Sequence, residues 1–269
     1  ALELPDELAV QLEEFGVHLR FGEGSRYSYE EARYCSAILR VSPAALAREE
    51  CQHVLLAAMF GKTQGDDGPT LWQDFWQSGG VQDGPAWFHQ YVSTVLRAQL
   101  TVFLHYGIAL EAHQQNTVLE FDGGGNLRRL IYQELGGGVF WDPERLAQLP
   151  VDFSSETYER DNVLVPYVKC LACVRHTLLR THLIPLLREV AAFFGTAEAE
   201  LRDQMEAMIQ AACGGTSQAA VDRLPPEEFA AYAGATANGL LHRTGKMKAL
   251  LRMRLLQTKE EVYVDGTEY

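Results

Sequence analysis

Apolar positions fall into distinct registers along the chain. Between Asp83 and Gly107 they stand at 88, 91, 92, 95, 96, 100 and 103, the three- and four-residue spacing of a buried amphipathic helix. Asp-Gly-Pro leads into this stretch, and Gly107 falls where a helix wants a left-handed residue after its last turn. The pattern then changes. Ile108–Phe121 (IALEAHQQNTVLEF) alternates in character and ends in Asp-Gly-Gly-Gly-Asn, and LRRLIYQELGGG follows with more branched and aromatic residues, which predicts a β-hairpin. From Thr157 to Leu256 the helical period returns, broken at Gly195-Thr196, Gly214-Gly215 and Pro225-Pro226. Helix, hairpin and then helices make an α+β fold, a mostly helical domain around a central antiparallel hairpin or small sheet.

The first 80 residues carry weaker signals. Ala44–Phe60 (AALAREECQHVLLAAMF) reads as a helix, and the Gly/Asp-rich stretch Gln64–Pro69 as the turn that ends it. Trp72, Phe75 and Trp76 share the spacing of a packed helix face. The expected division is residues 1–80, a poorly readable part that could be the tail of a further upstream domain, and residues 81–269, the domain built around the hairpin.

The hairpin is also where the polar residues concentrate. A half-buried strand does not normally spend Glu, His, Gln, Gln and Asn within six positions. On a strand, Glu111, His113 and Gln115 point to one face while Gln114 and Asn116 point to the other. A four-residue loop at Asp122–Gly125 sets Glu134 opposite His113, and a five-residue loop sets it opposite Gln114. Either register returns a second carboxylate to the cluster, and hard oxygen donors in that number suit Mg²⁺. The plain alternative is a solvated hairpin with ordinary polar decoration.

Composition narrows the classes. At 47% apolar and 22% charged residues, with no apolar run near the roughly 18 residues of a membrane span, a membrane partner is not expected. A net charge of −13 disfavours nucleic acid. Five cysteines, an odd number, without a secretion signal argue against a disulfide framework and for a cytoplasmic protein. Cys170 and Cys173 lie in an apolar helical run and read as buried thiols. There is no nucleophile elbow, P-loop or dinucleotide fingerprint, since the two Gly-Gly-Gly runs lack the required spacing.

The string HYGIALEAHQQNTVLEF, His105 to Phe121, resembles the most recognisable motif of the siderophore synthetases that act independently of peptide synthetases, the aerobactin-synthetase-like family. That motif reads Tyr/His-Gly-Ile/Val-x-x-Glu-x-His-x-Gln-Asn, and its polar members stand here as Glu111, His113, Gln115 and Asn116. The resemblance covers about Pro69 to Val264 and includes a region whose name in the family is ferric iron reductase-like. Upstream, Ser36 to Arg40 does not match the spacing of the family's Ser-x-Arg-Thr stretch.

The resemblance implies ATP and Mg²⁺ as cofactors, with Glu111, Gln115 and Asn116 on the magnesium–nucleotide and His113 as the catalytic contact to the reacting phosphate or carboxylate. It implies a metal set of Glu111, Asn116 and Glu134. The family has Arg-Asp in the second strand where this chain has Gln133-Glu134, and Arg129, beside Arg128, is the candidate replacement cation; the pair also reads as a solvated hairpin end. A closing helix at GKMKALLRMRLL would set Lys248 and Arg252 on one face of the acid pocket. The implied chemistry is adenylation of a citrate-like carboxylic acid and its condensation with an amine or hydroxyl. Small-molecule acids and amines are the expected partners, and a homodimer stays open. The family's His/Pro-rich, Lys-containing segment that grips the phosphates does not occur in this chain, which is either a portion of a longer enzyme, expected to bind ATP weakly or not at all by itself, or a stand-alone relative that has lost or outsourced ATP binding. Two other classes compete: a ferric-siderophore binding or reducing protein, which would need a four-cysteine cluster although Cys213 is the last cysteine, and a homologue that only binds ligand.

Overall fold

The computed structural model describes residues 4–18, 36–46, 48, 50–135, 138–147, 164–214, 226–242, 244–248 and 263–267. Ten strands appear among them: β1 (Leu8–Val10), β2 (Glu13–His18), β3 (Ser36–Arg40), β4 (Gln52–Leu55), β5 (Ile108–Leu110), β6 (Thr117–Phe121), β7 (Leu127–Tyr132), β8 (Val139–Trp141), β9 (Thr244–Lys248) and β10 (Tyr263–Thr267). The central sheet has the order β1-β7-β6-β4, and β2-β3, β5-β8 and β9-β10 form three two-stranded pairs. The long helices are α1 (Leu71–Ser78), α2 (Gly84–Tyr106), α3 (Tyr167–Arg175), α4 (Ile184–Phe194), α5 (Glu198–Gly214) and α6 (Pro226–Leu241). This is the expected α+β architecture.

Helix α2 is the spine of the core. Asp83 caps its first turn by accepting from the Ala86 N–H at 2.9 Å, and Gly107 ends it at φ 69°. A Cβ at Gly107 would stand 2.5 Å from Arg145 Cβ, so glycine is required there by space as well as by conformation. Arg145, itself buried, donates to the Leu104 and His105 carbonyls and thereby satisfies the last turn of α2. Helix α1 starts with a capping box between Thr70 and Gln73, worth about 1 kcal/mol. As the aromatic spacing predicts, α1 buries Trp72 and Trp76, and Trp72 sits at the hub of a cluster with Trp76, Trp87 and Tyr91 at centroid distances of 5.7, 5.6 and 5.6 Å.

Three elements differ from expectation. Ala44–Phe60 is not a helix: Pro43–Ala45 is a single 3₁₀ turn, Glu50 takes a positive φ of 63°, β4 follows, and only Leu56–Met59 is helical. The open edge of β6 accepts β4 in antiparallel register, and tertiary pairing of that kind overrides a weak helical propensity. The closing helix is absent at its start, because Thr244–Lys248 is a strand paired antiparallel with Tyr263–Thr267. The third difference is the strand carrying the polar cluster.

Between α3 and α4 the chain passes through a π-helical segment, His176–Leu183. Cys170 and Cys173 are buried in α3 as expected, and burial pushes the Cys170 thiol up to about 12. Among the described residues no helix is long and apolar enough to cross a membrane.

Candidate active site

The predicted long strand from Ile108 to Phe121 divides in two. Strand β5 ends at Leu110 and pairs with β8, β6 begins at Thr117, and Glu111–Asn116 form the turn between them. Glu111, His113 and Gln115 therefore do not share a strand face. Backbone bonds from inside and around the turn fix its shape instead. His113 N–H donates to the Glu111 carbonyl (2.9 Å) and Asn116 N–H to the His113 carbonyl (3.0 Å). Ala57 N–H reaches the Gln114 carbonyl (3.0 Å), Gln133 N–H the Asn116 carbonyl (3.1 Å), and Glu111 N–H the Gly138 carbonyl (2.6 Å). Three separate segments thus pin a turn of six polar or small residues.

The side chains add to this. Asn116 Nδ2 donates to the Glu111 carbonyl at 3.0 Å, which leaves the amide oxygen as the atom to offer a ligand. The Gln115 N–H donates to His113 Nδ1 at 3.2 Å, and Asn116 Nδ2 stands 3.4 Å from His113 Nε2, so the turn's own groups hold the ring on both sides. Gln133, which stands where the resembled family has arginine, donates through its side chain to the Gln115 carbonyl at 2.6 Å.

Glu134 returns to the turn, but not in either expected register. The hairpin has a five-residue loop, Asp122–Asn126, and also a bulge: Phe121 pairs with Leu127 and Glu120 with Arg129, leaving Arg128 as the extra residue. That one residue shifts every later pair, so Thr117 faces Tyr132 and the pairing continues as Asn116 with Gln133. Beyond the ladder, Glu111 and Glu134 both lie near the buried Tyr132 hydroxyl. Burial first, then the charges around it, including those of Glu111 and Glu134, hold the phenol well above its ordinary range. The Tyr132 hydroxyl donates to the Gly138 carbonyl at 2.6 Å. A Cβ on Gly138 would stand 2.4 Å from that hydroxyl and 3.1 Å from Glu134 Cγ, so Gly138 marks a close approach rather than a mere turn.

Among the described residues no three His, Cys, Asp or Glu side chains stand close enough to hold a metal by themselves. Two carboxylates with an amide oxygen are nevertheless a donor set that fits Mg²⁺, an ion usually held by one or two carboxylates together with water and substrate phosphates.

The other expected residues lie elsewhere. Arg129 is committed to Glu120, with Nε 2.8 Å from Oε1 and Nη2 3.0 Å from Oε2, and also donates to the Leu46 carbonyl. Arg128 is exposed and 3.8 Å from Asp122. The cation that does meet Glu134 is Arg40, with Nη2 3.3 Å from Oε2. It comes from β3, in the part of the chain where sequence signals are weakest. Lys248 ends β9 rather than lying in a helix, so it does not share a helical face with residue 252, and Arg252 lies outside the described residues.

A family model described as "Ferric iron reductase FhuF-like transporter" matches residues 85–262. The chain belongs to that family. The match spans the whole site from α2 through the Glu111–Asn116 turn and Glu134, and it is the domain to which the His105–Phe121 motif points. The chain is 33% identical over 144 residues to the uncharacterized protein y4xN of Sinorhizobium fredii, covering 52% of this chain and 22% of that protein. It is 45% identical over 38 residues to spermidine-citrate ligase of Bacillus anthracis, covering 14% and 6% respectively. In fold it is similar to petrobactin biosynthesis protein AsbB of Bacillus anthracis (TM-score 0.68, 16% identity, 97% of this chain and 42% of that one). ATP-bound aerobactin synthetase IucA of Klebsiella pneumoniae gives the same TM-score of 0.68, at 17% identity over 97% of this chain and 43% of that one. The chain spans less than half the length of each of these relatives. The shared fold reaches into the first 80 residues, whose strands β1 and β4 complete the sheet that carries the site.

Proposed function

We propose that this FhuF-like chain is the C-terminal catalytic portion of an ATP-dependent synthetase that adenylates a small, citrate-like carboxylic acid and condenses it with an amine or hydroxyl. The observation that carries the reading is the pinned Glu111–Asn116 turn, brought beside Glu134 on a fold shared with siderophore synthetases.

In this reading an oxygen of the acid attacks the α-phosphorus of ATP, pyrophosphate leaves, and the amine or hydroxyl then attacks the acyl carbon and releases AMP. Glu111, Glu134 and the Asn116 amide oxygen would hold Mg²⁺, which when bound would neutralise phosphate charge. Gln115 and Asn116 position the nucleotide. His113 contacts the reacting phosphate or carboxylate. The rigid turn aligns reactants and presents dipoles already oriented, and alignment and electrostatics are most of what such a transfer requires. Lys248 and Arg252 are the cations that the family likeness assigns to the acid. The protein acts in the cytoplasm on small molecules, with a homodimer as its candidate assembly.

The test is pyrophosphate release from ATP with a panel of small acids and amines, run on the chain and on His113→Ala. Release that depends on an acid and is lost in the variant is the expected result, and equal rates in the two proteins would remove His113 from the mechanism. No release with any pair, at ATP concentrations high enough to offset the weak binding expected of this chain alone, would return the chain to a ligand-binding homologue. Visible-range absorbance of the purified protein would instead favour the ferric-siderophore reductase reading.

A further inference from the structure

Strand β4, the helical turn Leu56–Met59, the loop over residues 61–69 and helix α1 enclose a cavity of about 570 Å³. That is the size of a small-molecule site, roughly 300–1,000 Å³. Neither the Glu111–Asn116 turn nor Glu134 contributes to its lining. We propose that this cavity is a second binding site, one that takes a small organic amine in its ammonium form.

Three observations lead there. First, the floor is apolar and partly aromatic. Val54, Met59, Phe75 and Phe121 supply it, and the two phenylalanine rings lie 4.7 Å apart at 43°. Such a floor takes the alkyl or aryl stem of a ligand, and aromatic rings add an attraction for a cation.

Second, a carboxylate in a fixed position stands on the wall. Asp74 Oδ2 accepts from the Thr63 hydroxyl at 2.5 Å. The backbone fixes Thr63 in turn: its N–H donates to the Pro69 carbonyl at 3.0 Å, and the Leu71 N–H closes the same loop on the Gly61 carbonyl at 2.9 Å. A carboxylate offers about four lone-pair sites and one hydroxyl occupies a single one. Asp74 is therefore oriented by Thr63 and keeps acceptor capacity for an ammonium, the pairing in which a hydrogen bond gains from charge on both sides. His53 also lines the cavity, but its Nε2 is engaged by Glu120 at 2.9 Å.

Third, the cavity is a neighbour of the candidate active site and not a part of it. The helical turn Leu56–Met59 joins them: Ala57 N–H holds the Gln114 carbonyl, and two residues on, Met59 faces the cavity. The inference therefore stands apart from the synthetase reading, and binding can be read with neither ATP nor metal present.

The experiment is methyl NMR of the full chain labelled at its methionines, at mildly alkaline pH. Met59 is one of five, and Met59→Leu assigns its signal. Hexylammonium, hexan-1-ol and hexanoate offer one stem with three head groups. Hexylammonium should move the Met59 methyl saturably and bind about two- to fivefold more tightly than hexanol, with hexanoate the weakest. Asp74→Asn, whose amide oxygen can still accept from Thr63, should bring hexylammonium down to the affinity of hexanol and leave hexanol unchanged. Gln77→Glu, a new carboxylate at an exposed position of the lining, should tighten hexylammonium by a similar factor. If Asp74→Asn fails to melt cooperatively, Gln77→Glu decides, and an unchanged hexylammonium affinity there overturns the assignment. Equal affinities for hexylammonium in wild type and Asp74→Asn, or hexanol or hexanoate bound as tightly as hexylammonium, overturn it too and leave an apolar cavity only. A Met59 methyl that no probe moves removes the site, and the synthetase reading is untouched by any of these results.

Discussion

Arg129 Nε lies 2.8 Å from Oε1 of Glu120, a carboxylate with no exposed side-chain surface at all. His53 Nε2 stands 2.9 Å from the other oxygen, and the Arg48 N–H reaches it at 3.5 Å. Burial alone would raise the Glu120 carboxyl, but the bonds from Arg129 and His53 and the arginine charge outweigh it and hold the group below its usual range. The network lies on the opposite sheet face from Leu119 and Leu130, where the Leu46 carbonyl and the Arg48 N–H bond to it, and it accounts for the arginine that the resemblance suggested for the nucleotide.

Removing one partner of a buried ion pair strands the other. Arg129→Met should therefore destabilise the chain by about 3–5 kcal/mol, read from urea unfolding. A loss below about 1 kcal/mol would mean that water reaches Glu120 in solution.

His182 should make stability depend on pH. It is fully buried in the π-helical segment, 2.6 Å from the Tyr91 hydroxyl, and burial pushes its imidazole down to about 3. A lowered folded value means that the unfolded chain takes up the proton first. The contribution is complete above the unfolded value, about 6.5, and is lost as pH falls from there toward 3. The slope from this group approaches about 1.4 kcal/mol per pH unit. Unfolding midpoints measured between those limits should show it in wild type and not in His182→Gln; parallel curves would refute the assignment.

Gly107→Ala should cost about 1–3 kcal/mol for its left-handed backbone alone, and more because its Cβ would meet Arg145 at 2.5 Å. The thermal midpoint checks this. Arg145 also caps α2 just before the site, so the variant should lose any pyrophosphate-releasing activity together with stability.

Chelation separates a metal site from a purely ionic turn. EDTA should abolish pyrophosphate release, with recovery on excess Mg²⁺. Activity that survives exhaustive chelation would leave Glu111 and Glu134 without a metal to hold. Glu111→Gln should weaken Mn²⁺ binding while the chain still unfolds cooperatively, since this carboxylate is partly exposed.

Local signals were sufficient for much of this molecule. Helix α2 was readable to within a residue because its period, its Asp83 cap and its terminal Gly107 are all encoded within the segment itself. The same holds for α1 and for the Gly-rich hairpin loop, where Asp122 Oδ1 accepts from the Gly124 and Asn126 N–H groups at 2.9 Å. The polar motif too was visible as a string, because seven residues at fixed spacing need no partner to be recognised. Tertiary structure decided what depends on pairing across distance. Gln52–Leu55 became a strand because β6 had a free edge. One extra residue, Arg128, moved Glu134 along the register. Glu111–Asn116 became a turn because Ala57, Gln133 and Gly138 supplied its hydrogen bonds. Arg40 reached Glu134 across 94 positions. Periodicity records which residues are buried, whereas the partner of a charge is set by where distant backbones meet.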